Sequence, residues 1–524
     1  MPSYLHPGVY VEEISSGSKP IEAVGTSTAA FIGFATKGSI GEPTLISKWD
    51  DYQELFGGIQ ETEAAVSGSN NVVGDTLGHS VYAFFKNGGG KAYITRLAKG
   101  AKCSEKNLLN PDAAANSTDA ADQMLEFTAV NEGTWGDSIV VRLTPKKDTK
   151  LFTVEVGTGT GDDFATFERF DDVSLSSSDK ADYIIGKLNG VSEYVAVKAL
   201  SGLKAAAINK LVAGDAVEVA LAGGGNGSNA DNDDYDDTFA LFEKIRDINI
   251  ICLPGKWWNS SNKAVIDSAV AHCEKMKSRM VIVDTPPGVE LEKEKDVTDL
   301  GLPTKTYCAT YYPWAQVANP YYNAETNPGA AKNVLVQPSA FAAGIWAKTD
   351  SRRGVWKAPA GVETGILGLN ALEFVVEDAE QDYLNPLGIN ALRSLPAYGS
   401  VVWGARTLAT KADPEWRYVP VRRTAMYIEQ SIYNGIQWAV FEPNNDNLWS
   451  SLRVNIDSFM NGLFRAGAFQ GTKASDAFFV RCGLGDTMTQ GDIDRGQVIA
   501  VVGFAPLKPA EFVILRIQQK VGQQ

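Results

Sequence analysis

After Leu507-Lys508-Pro509 the chain has one more strand-forming run, residues 511–518, and no hairpin turn to fold it back on its predecessor. A lone strand at a terminus carries unpaired N–H and C=O groups, which require a sheet edge. That edge belongs either to the same molecule or to a neighbour. The other terminus poses the same problem. Pro2, Pro7, Gly8, Gly17 and Pro20 prevent helix, while residues 8–14 alternate as a short strand with Val9, Val11 and Glu13 on one side. Fully extended at ~3.5 Å per residue, the chain from Tyr10 to Ala30 reaches at most ~70 Å, enough to leave its own domain.

Between these ribbons the pattern is that of a folded α/β chain. Residues 29–33 read as a buried strand, 49–56 as a short helix stopped by Gly57-Gly58, 79–85 as a helix and 91–97 as a strand. Residues 238–245 return to helix. Strand 248–253, helix 260–277 and strand 280–284 then alternate, which points to an α/β core. A further strand at 307–314 and a helix at 340–349 follow. Near the C-terminus a helix covers 421–435, with Ala425, Ile428 and Ile432 inward. Leu448, Trp449, Leu452, Ile456, Phe459, Met460, Leu463 and Phe464 recur at helical spacing, an ordinary core-facing stripe. Residues 444–447 offer its N-cap, Gly467 ends it, and Arg453, Asp457, Asn461 and Arg465 fall on its polar side. Residues 401–405, 478–482 and 498–504 read as short strands.

Residues 100–232 differ in texture. Strand-like runs at 127–129, 138–143 and 152–156, a loop around Trp135 and little helical periodicity before 181–188 indicate an inserted, mainly β domain. Gly223-Gly224-Gly225-Asn226-Gly227-Ser228-Asn229 reads as its flexible exit.

Composition restricts function. A net charge of −15 argues against a coat that neutralises phosphate. No apolar run reaches the ~20 residues of a membrane span. The sequence MPSYLHPGVYVEE has neither the basic nor the apolar region of a secretory signal, so synthesis without a signal peptide is expected. Cys103, Cys252, Cys273, Cys308 and Cys482 are odd in number and form no CxxC pair, which fits synthesis in a reducing compartment.

The alternative function with most support in the residues is a deviant Walker-type P-loop ATPase. Met280 to Gly288 would be a strand ending in a metal-binding Asp284, and Lys86-Asn87-Gly88-Gly89-Gly90-Lys91 a phosphate loop. Ala92 stands where a Ser or Thr should bind magnesium, and the order is helix, loop, strand rather than strand, loop, helix. His272-Cys273-Glu274 is half a deaminase signature without its Pro-Cys-x-x-Cys half. Asp231, Asp233, Asp234, Asp236 and Asp237 miss the calcium-loop spacing and read as a solvated acidic linker. No catalytic residue, metal or cofactor is expected. Arg393, Arg406, Arg417, Arg422 and Arg423 stand out as cations in an acidic chain, either paired internally or facing a neighbour.

A set of motifs goes further. His6-Pro-Gly-Val-Tyr-Val-Glu-Glu13, Thr28-Ala-Ala-Phe-Ile-Gly33, Arg353-Gly-Val-Trp-Lys-Ala-Pro-Ala360, Asn385-Pro-Leu-Gly-Ile-Asn390, Trp403-Gly-Ala-Arg-Thr407, Pro414-Glu-Trp-Arg-Tyr418, Trp438-Ala-Val-Phe-Glu-Pro-Asn444 and Lys508-Pro-Ala-Glu-Phe512 occur in this order. Together they resemble contractile tail sheath proteins, the shortening outer cylinders of phage tails and bacterial contractile injection systems. The resemblance covers about residues 1–97 and 238–520, and touches the insertion only at the Trp135 loop.

The fold expected is multi-domain α/β (α+β): a mixed-sheet core with helices, an inserted mainly-β domain, and extended N- and C-terminal arms. The boundaries are an arm at 1–28, the core at 29–99 plus 238–384, the insertion at 100–237, a C-terminal α/β domain at 385–506 and a terminal arm at 507–524. The resemblance implies a structural subunit that stacks as six-membered rings around an inner tube and contracts to drive that tube through a target membrane. It implies contacts with baseplate and tail-terminator or cap proteins; on the charge and the lack of a long apolar run, no nucleic acid and no direct membrane insertion are expected. The particle would be a phage tail or an injection system made in the bacterial cytoplasm. Strand exchange between subunits is expected through Val9, Tyr10, Val11, Glu12 and Ile14, and through Phe512, Val513, Ile514, Leu515, Arg516 and Ile517. The resemblance places the C-terminal domain innermost, with Arg453, Arg465 and Lys473 as candidate tube contacts, and has insertions at this position project outward.

Overall fold

The structure is a computed structural model that describes residues 20–60, 72–114, 117–146, 148–178, 181–409, 411–512 and 514. Its centre is an eight-stranded sheet in the order Gly399–Val402, Ile389–Leu395, Cys308–Tyr312, Met280–Asp284, Ile250–Trp257, Ala29–Gly33, Ala92–Arg96, Thr44–Ile46. The six inner strands run parallel and the outermost strand on each edge is antiparallel. Ala29–Gly33, Met280–Asp284 and Cys308–Tyr312 are buried at every residue, so both faces of the sheet are covered. Two helix pairs cover them: Thr76–Lys86 packs on Pro338–Arg353, and Asn232–Phe242 packs on Lys263–Met276. Continuous apolar runs bounded by Gly, Pro or Asp made these strands readable in advance.

The expected boundary at 384/385 is not where the sheet divides. Ile389–Leu395 pairs in parallel with Cys308–Tyr312 and brings Gly399–Val402 with it, so both strands belong to the core sheet. A Pro-Leu-Gly break separates them from the preceding helix, Asp378–Leu384, without separating them from the sheet. The C-terminal layer proper holds the helices Val419–Gly435 and Asp446–Arg465 and the hairpin Phe478–Arg481/Val501–Phe504, around its own small core of Ile428, Ile456, Met460 and Phe478. Asn445 caps the second helix, its Oδ1 accepting from the N–H of Asn447 and Leu448 at 3.1 and 3.2 Å.

The insertion has a separate hydrophobic core. A four-stranded antiparallel sheet (Val217–Ala220, Ile139–Lys146, Leu151–Thr158, Ala165–Val173) faces a three-stranded one (Glu105–Leu109, Gln123–Ala129, Val195–Ala199), with the helices Ile184–Leu188 and Ala205–Ala213 added. Its outgoing segment is not a loose linker. Ser228 bridges Lys99, Gly225 bridges Lys102 and Ala222 bridges Glu105, through backbone hydrogen bonds of 2.9 to 3.4 Å. Glycine here permits close approach: a Cβ at Gly224 would strike the Ser104 hydroxyl and the Gly133 carbonyl. Trp135 is half-buried rather than buried, with the Lys37 ammonium 4.9 Å from its ring centre. The crowded aspartates are likewise not linker. They begin the Asn232–Phe242 helix, where Asp234 Oδ2 accepts from the Asp231 N–H at 3.0 Å and acidic groups suit the helix N-terminus.

Candidate functional site: surfaces at the two termini

Val9, Tyr10, Val11, Glu12, Ile14, Val513, Leu515, Arg516 and Ile517 lie outside the described residues. What the structure describes is the root of each arm. On the N-terminal side, residues 20–28 cross from the C-terminal layer to the core sheet. Ile21 is buried in the C-terminal core, against Gly435. The Val24 N–H donates to Ser431 Oγ at 3.2 Å, and the Thr26 hydroxyl to Asp350 Oδ2 at 2.6 Å. Arg423 Nη2 donates to the Thr26 carbonyl at 2.8 Å and to Asp350 Oδ2 at 2.6 Å. Burial pushes the Asp350 carboxyl up, and the Arg423 guanidinium opposes that shift.

On the C-terminal side, Arg406 Nε and Nη2 donate to the two Glu511 oxygens at 2.9 and 2.5 Å, and the Tyr418 hydroxyl donates to Oε2 at 3.1 Å. The Arg406 end is rigid: its N–H donates to Asn390 Oδ1 at 2.6 Å and its Nη1 to the Asn385 carbonyl at 3.0 Å. Burial alone would raise the Glu511 carboxyl; the Arg406 and Tyr418 hydrogen bonds outweigh it, and the net shift is downward. Beyond this anchor Phe512 is 76% and Ile514 79% exposed. Two residues apart, they fall on one face of any extended run. Glu511 and Phe512 are not in a strand within this chain.

Phe478–Arg481 and Val501–Phe504 form a sheet of two strands only. Phe479 and Val501 expose 49% and 40% of their surface. A sheet this small is marginal alone, and each strand has a free outer edge among the described residues.

The proposed tube contacts separate. Arg453 is half-buried; its Nη1 donates to the Cys482 carbonyl and its Nη2 to Ser450 Oγ at 2.9 Å, so it ties the Asp446–Arg465 helix to the hairpin. Arg465 and Lys473 are exposed. All five arginines singled out have internal partners, Arg417 among them. Arg393 meets Asp378 at 2.7 Å, Arg406 meets Glu511 and Arg423 meets Asp350. Arg422 lies between the Tyr307 and Trp416 rings, 4.2 and 4.1 Å from their centres.

The nucleotide-site residues do not assemble. Asp284 is sealed: its oxygens accept from the Ser339 N–H and hydroxyl at 2.8 and 2.6 Å and from Gln337 Nε2 at 2.8 Å, at the start of the Pro338–Arg353 helix. Lys91 is exposed in a helix–loop–strand order. His272 is buried beside Arg279 Nη1 at 3.1 Å and stacks on Phe239. No group of three or more His, Cys, Asp or Glu among the described residues could hold a metal ion, and no helix among them is long and apolar enough to cross a membrane.

Comparison with known proteins decides the family. Residues 228–408 match the phage tail sheath protein central domain and residues 411–520 the phage tail sheath C-terminal domain, together more than half of the chain. The chain belongs to the contractile tail sheath family. The tail sheath protein of Burkholderia phage BcepMu is 24% identical over 492 residues, covering 90% of this chain and 89% of that protein. Matches to the tail sheath proteins of Vibrio phage KVP40 and Enterobacteria phage T4 are 29% and 27% identical, but span only 25% and 27% of those longer proteins. Among solved structures, the helical sheath of the anti-feeding prophage in its contracted state aligns with a TM-score of 0.59 at 25% identity, over 98% of this chain and 99% of that one. The sheath complex of the extracellular contractile injection system PVC, also contracted, aligns at 0.57 and 25% identity, over 99% of both chains. This sheath protein is therefore a structural subunit of a contractile tail or tail-like particle, with the mixed α/β fold of the family.

Proposed function

We propose that copies of this sheath protein stack as six-membered rings around an inner tube, linked by exchange of their terminal strands, and that their rearrangement drives the tube through a target membrane without catalysis. The supporting observation is the complementarity within one chain. Two exposed apolar side chains, Phe512 and Ile514, leave the body uncovered, and the two-stranded sheet Phe478–Arg481/Val501–Phe504 offers open edges. A strand donated by a neighbour satisfies both through β-augmentation, each added main-chain hydrogen bond contributing about 0.5–1.5 kcal/mol net. Val9, Tyr10, Val11, Glu12 and Ile14 serve the same exchange from the other terminus. Arg465 and Lys473, both exposed, are the tube-facing cations; Arg453 contributes by fixing the helix that carries Arg465. Baseplate and terminator proteins close the two ends of the cylinder.

Deletion of residues 1–16 or of residues 510–524 tests this reading. The expected product is a folded subunit that builds no cylinder in electron micrographs. Normal cylinders from either deletion would overturn strand exchange at that terminus.

A further inference from the structure

We propose that the Arg406–Glu511 ion pair, braced by Tyr418, is a positioning device that fixes where the C-terminal arm leaves the body and in which direction it points. This inference rests on the strand-exchange reading above and specifies how one arm is aimed.

The segment before the arm is held at two places. The last backbone pairing described near this terminus is the antiparallel bridge between Phe469 and Pro506, where the Gln470 N–H donates to the Ala505 carbonyl at 2.9 Å. Beyond that bridge, residues 508–512 belong to no strand or bridge. Between the segment and the body lies a cleft of about 830 Å³, walled on the far side by residues such as Trp356, Gly361, Trp403 and Gly467. Residues 507–512 therefore form one wall of this cleft. The far end of the segment is fastened by the Glu511 side chain, which meets Arg406 through two hydrogen bonds and Tyr418 through a third.

Three features distinguish this fastening from an ordinary surface pair. The ion pair is bidentate and largely enclosed, with 9% and 15% side-chain exposure for Arg406 and Glu511. Its receiving end is immobilised by Asn385 and Asn390. It stands directly before the exposed Phe512 and Ile514. A flexible arm tethered only at the Phe469–Pro506 bridge would sample a volume set by all the residues that follow it. Fastening it at 511 shortens the free length and fixes the starting direction, which raises the effective concentration of the apolar strand at a neighbour's sheet edge.

The experiment uses the full chain with Glu511→Arg, Glu511→Gln, and the swap Arg406→Glu with Glu511→Arg. A nitroxide on Ile514→Cys in a Cys103→Ser background reports arm motion in the unassembled subunit. Sedimentation and electron microscopy report the fraction assembled. In Glu511→Arg the label should tumble severalfold faster and the assembled fraction fall about tenfold, with the melting temperature of the body unchanged. The swap should restore both. If the swap fails to fold, Glu511→Gln carries the test through the same two readouts. Unchanged label motion, or full assembly by folded Glu511→Arg when deletion of 510–524 assembles nothing, overturns the proposal. If the deletion itself assembles normally, strand exchange at this terminus is wrong, and the label still decides whether the fastening exists.

Discussion

Asp350 on the Pro338–Arg353 helix and Arg423 on the Val419–Gly435 helix form an ion pair of 2.6 and 2.9 Å that is almost closed to solvent, 5% and 3% exposed. The pair joins the helix lying on the core sheet to the first helix of the C-terminal layer, and Thr26 of the N-terminal root completes it. A buried pair is weak grounds for stability in itself, but breaking it by removing one partner is costly. Asp350→Ala leaves the Arg423 guanidinium enclosed without its carboxylate and should destabilise the subunit by about 3–5 kcal/mol in chemical denaturation. Thr26→Val, which removes one hydroxyl donor, should cost about 1 kcal/mol.

Asp284 gives a signed pH dependence. Burial raises its carboxyl to about 7, against the opposing hydrogen bonds from Ser339 and Gln337. The unfolded chain has the ordinary carboxylate value, near 4. Between about pH 4 and 7 the folded state therefore holds this proton more tightly than the unfolded state, and the contribution of Asp284 to stability falls as pH rises, by at most about 1.4 kcal/mol per unit. Asp284→Asn removes the titration. Denaturation curves from pH 4.5 to 7.5 should show wild type losing ground to the variant as pH rises; parallel curves would contradict this.

The core strands were legible because each is a short apolar run with a breaker at its end, and Ala29–Gly33 and Met280–Asp284 match their expected limits. The 446–465 helix was legible from its stripe and its Asn cap. The pairing partners were not. Nothing local to Ile389–Leu395 says that it joins Cys308–Tyr312, because parallel pairing is decided by contacts across some eighty positions of chain. The glycine-rich segment 223–229 suggested freedom, but it is held by backbone partners at 99–105, and small residues serve close packing as readily as motion. Arg406 and Glu511 were visible in Trp-Gly-Ala-Arg-Thr and Lys-Pro-Ala-Glu-Phe. Their union was missed because 105 residues separate them.

Arg96 couples the insertion to the core. Fully buried, it donates from Nε to the Ala35 carbonyl at 2.7 Å, and from Nη1 to those of Gly38 and Glu132 at 2.6 and 2.8 Å. Two of these acceptors belong to the core and one to the insertion. Arg96→Met preserves the bulk and leaves three carbonyls without this donor. The expected result is a loss of about 2–4 kcal/mol and faster protease cleavage near residues 99–105 and 222–228, with the core sheet retained.

Gly503 controls the hairpin. A Cβ there would run into the Phe479 ring, which lies across it on the paired strand. Gly503→Val should disorder Phe478–Arg481 and Val501–Phe504 and abolish cylinders, while circular dichroism retains the signal of the core helices. Cylinders of normal length from this variant would show that the hairpin does not accept the donated strand.

The crossing of residues 99–105 with 222–228 has one more consequence. The polypeptide leaves the body and returns to it side by side, Glu105 against Ala222. Any module whose own ends meet at the spacing of adjacent strands can be grafted there without straining the parent framework. A graft there that also gives Arg96 an acceptor, as the Glu132 carbonyl does, would leave the core contacts in place.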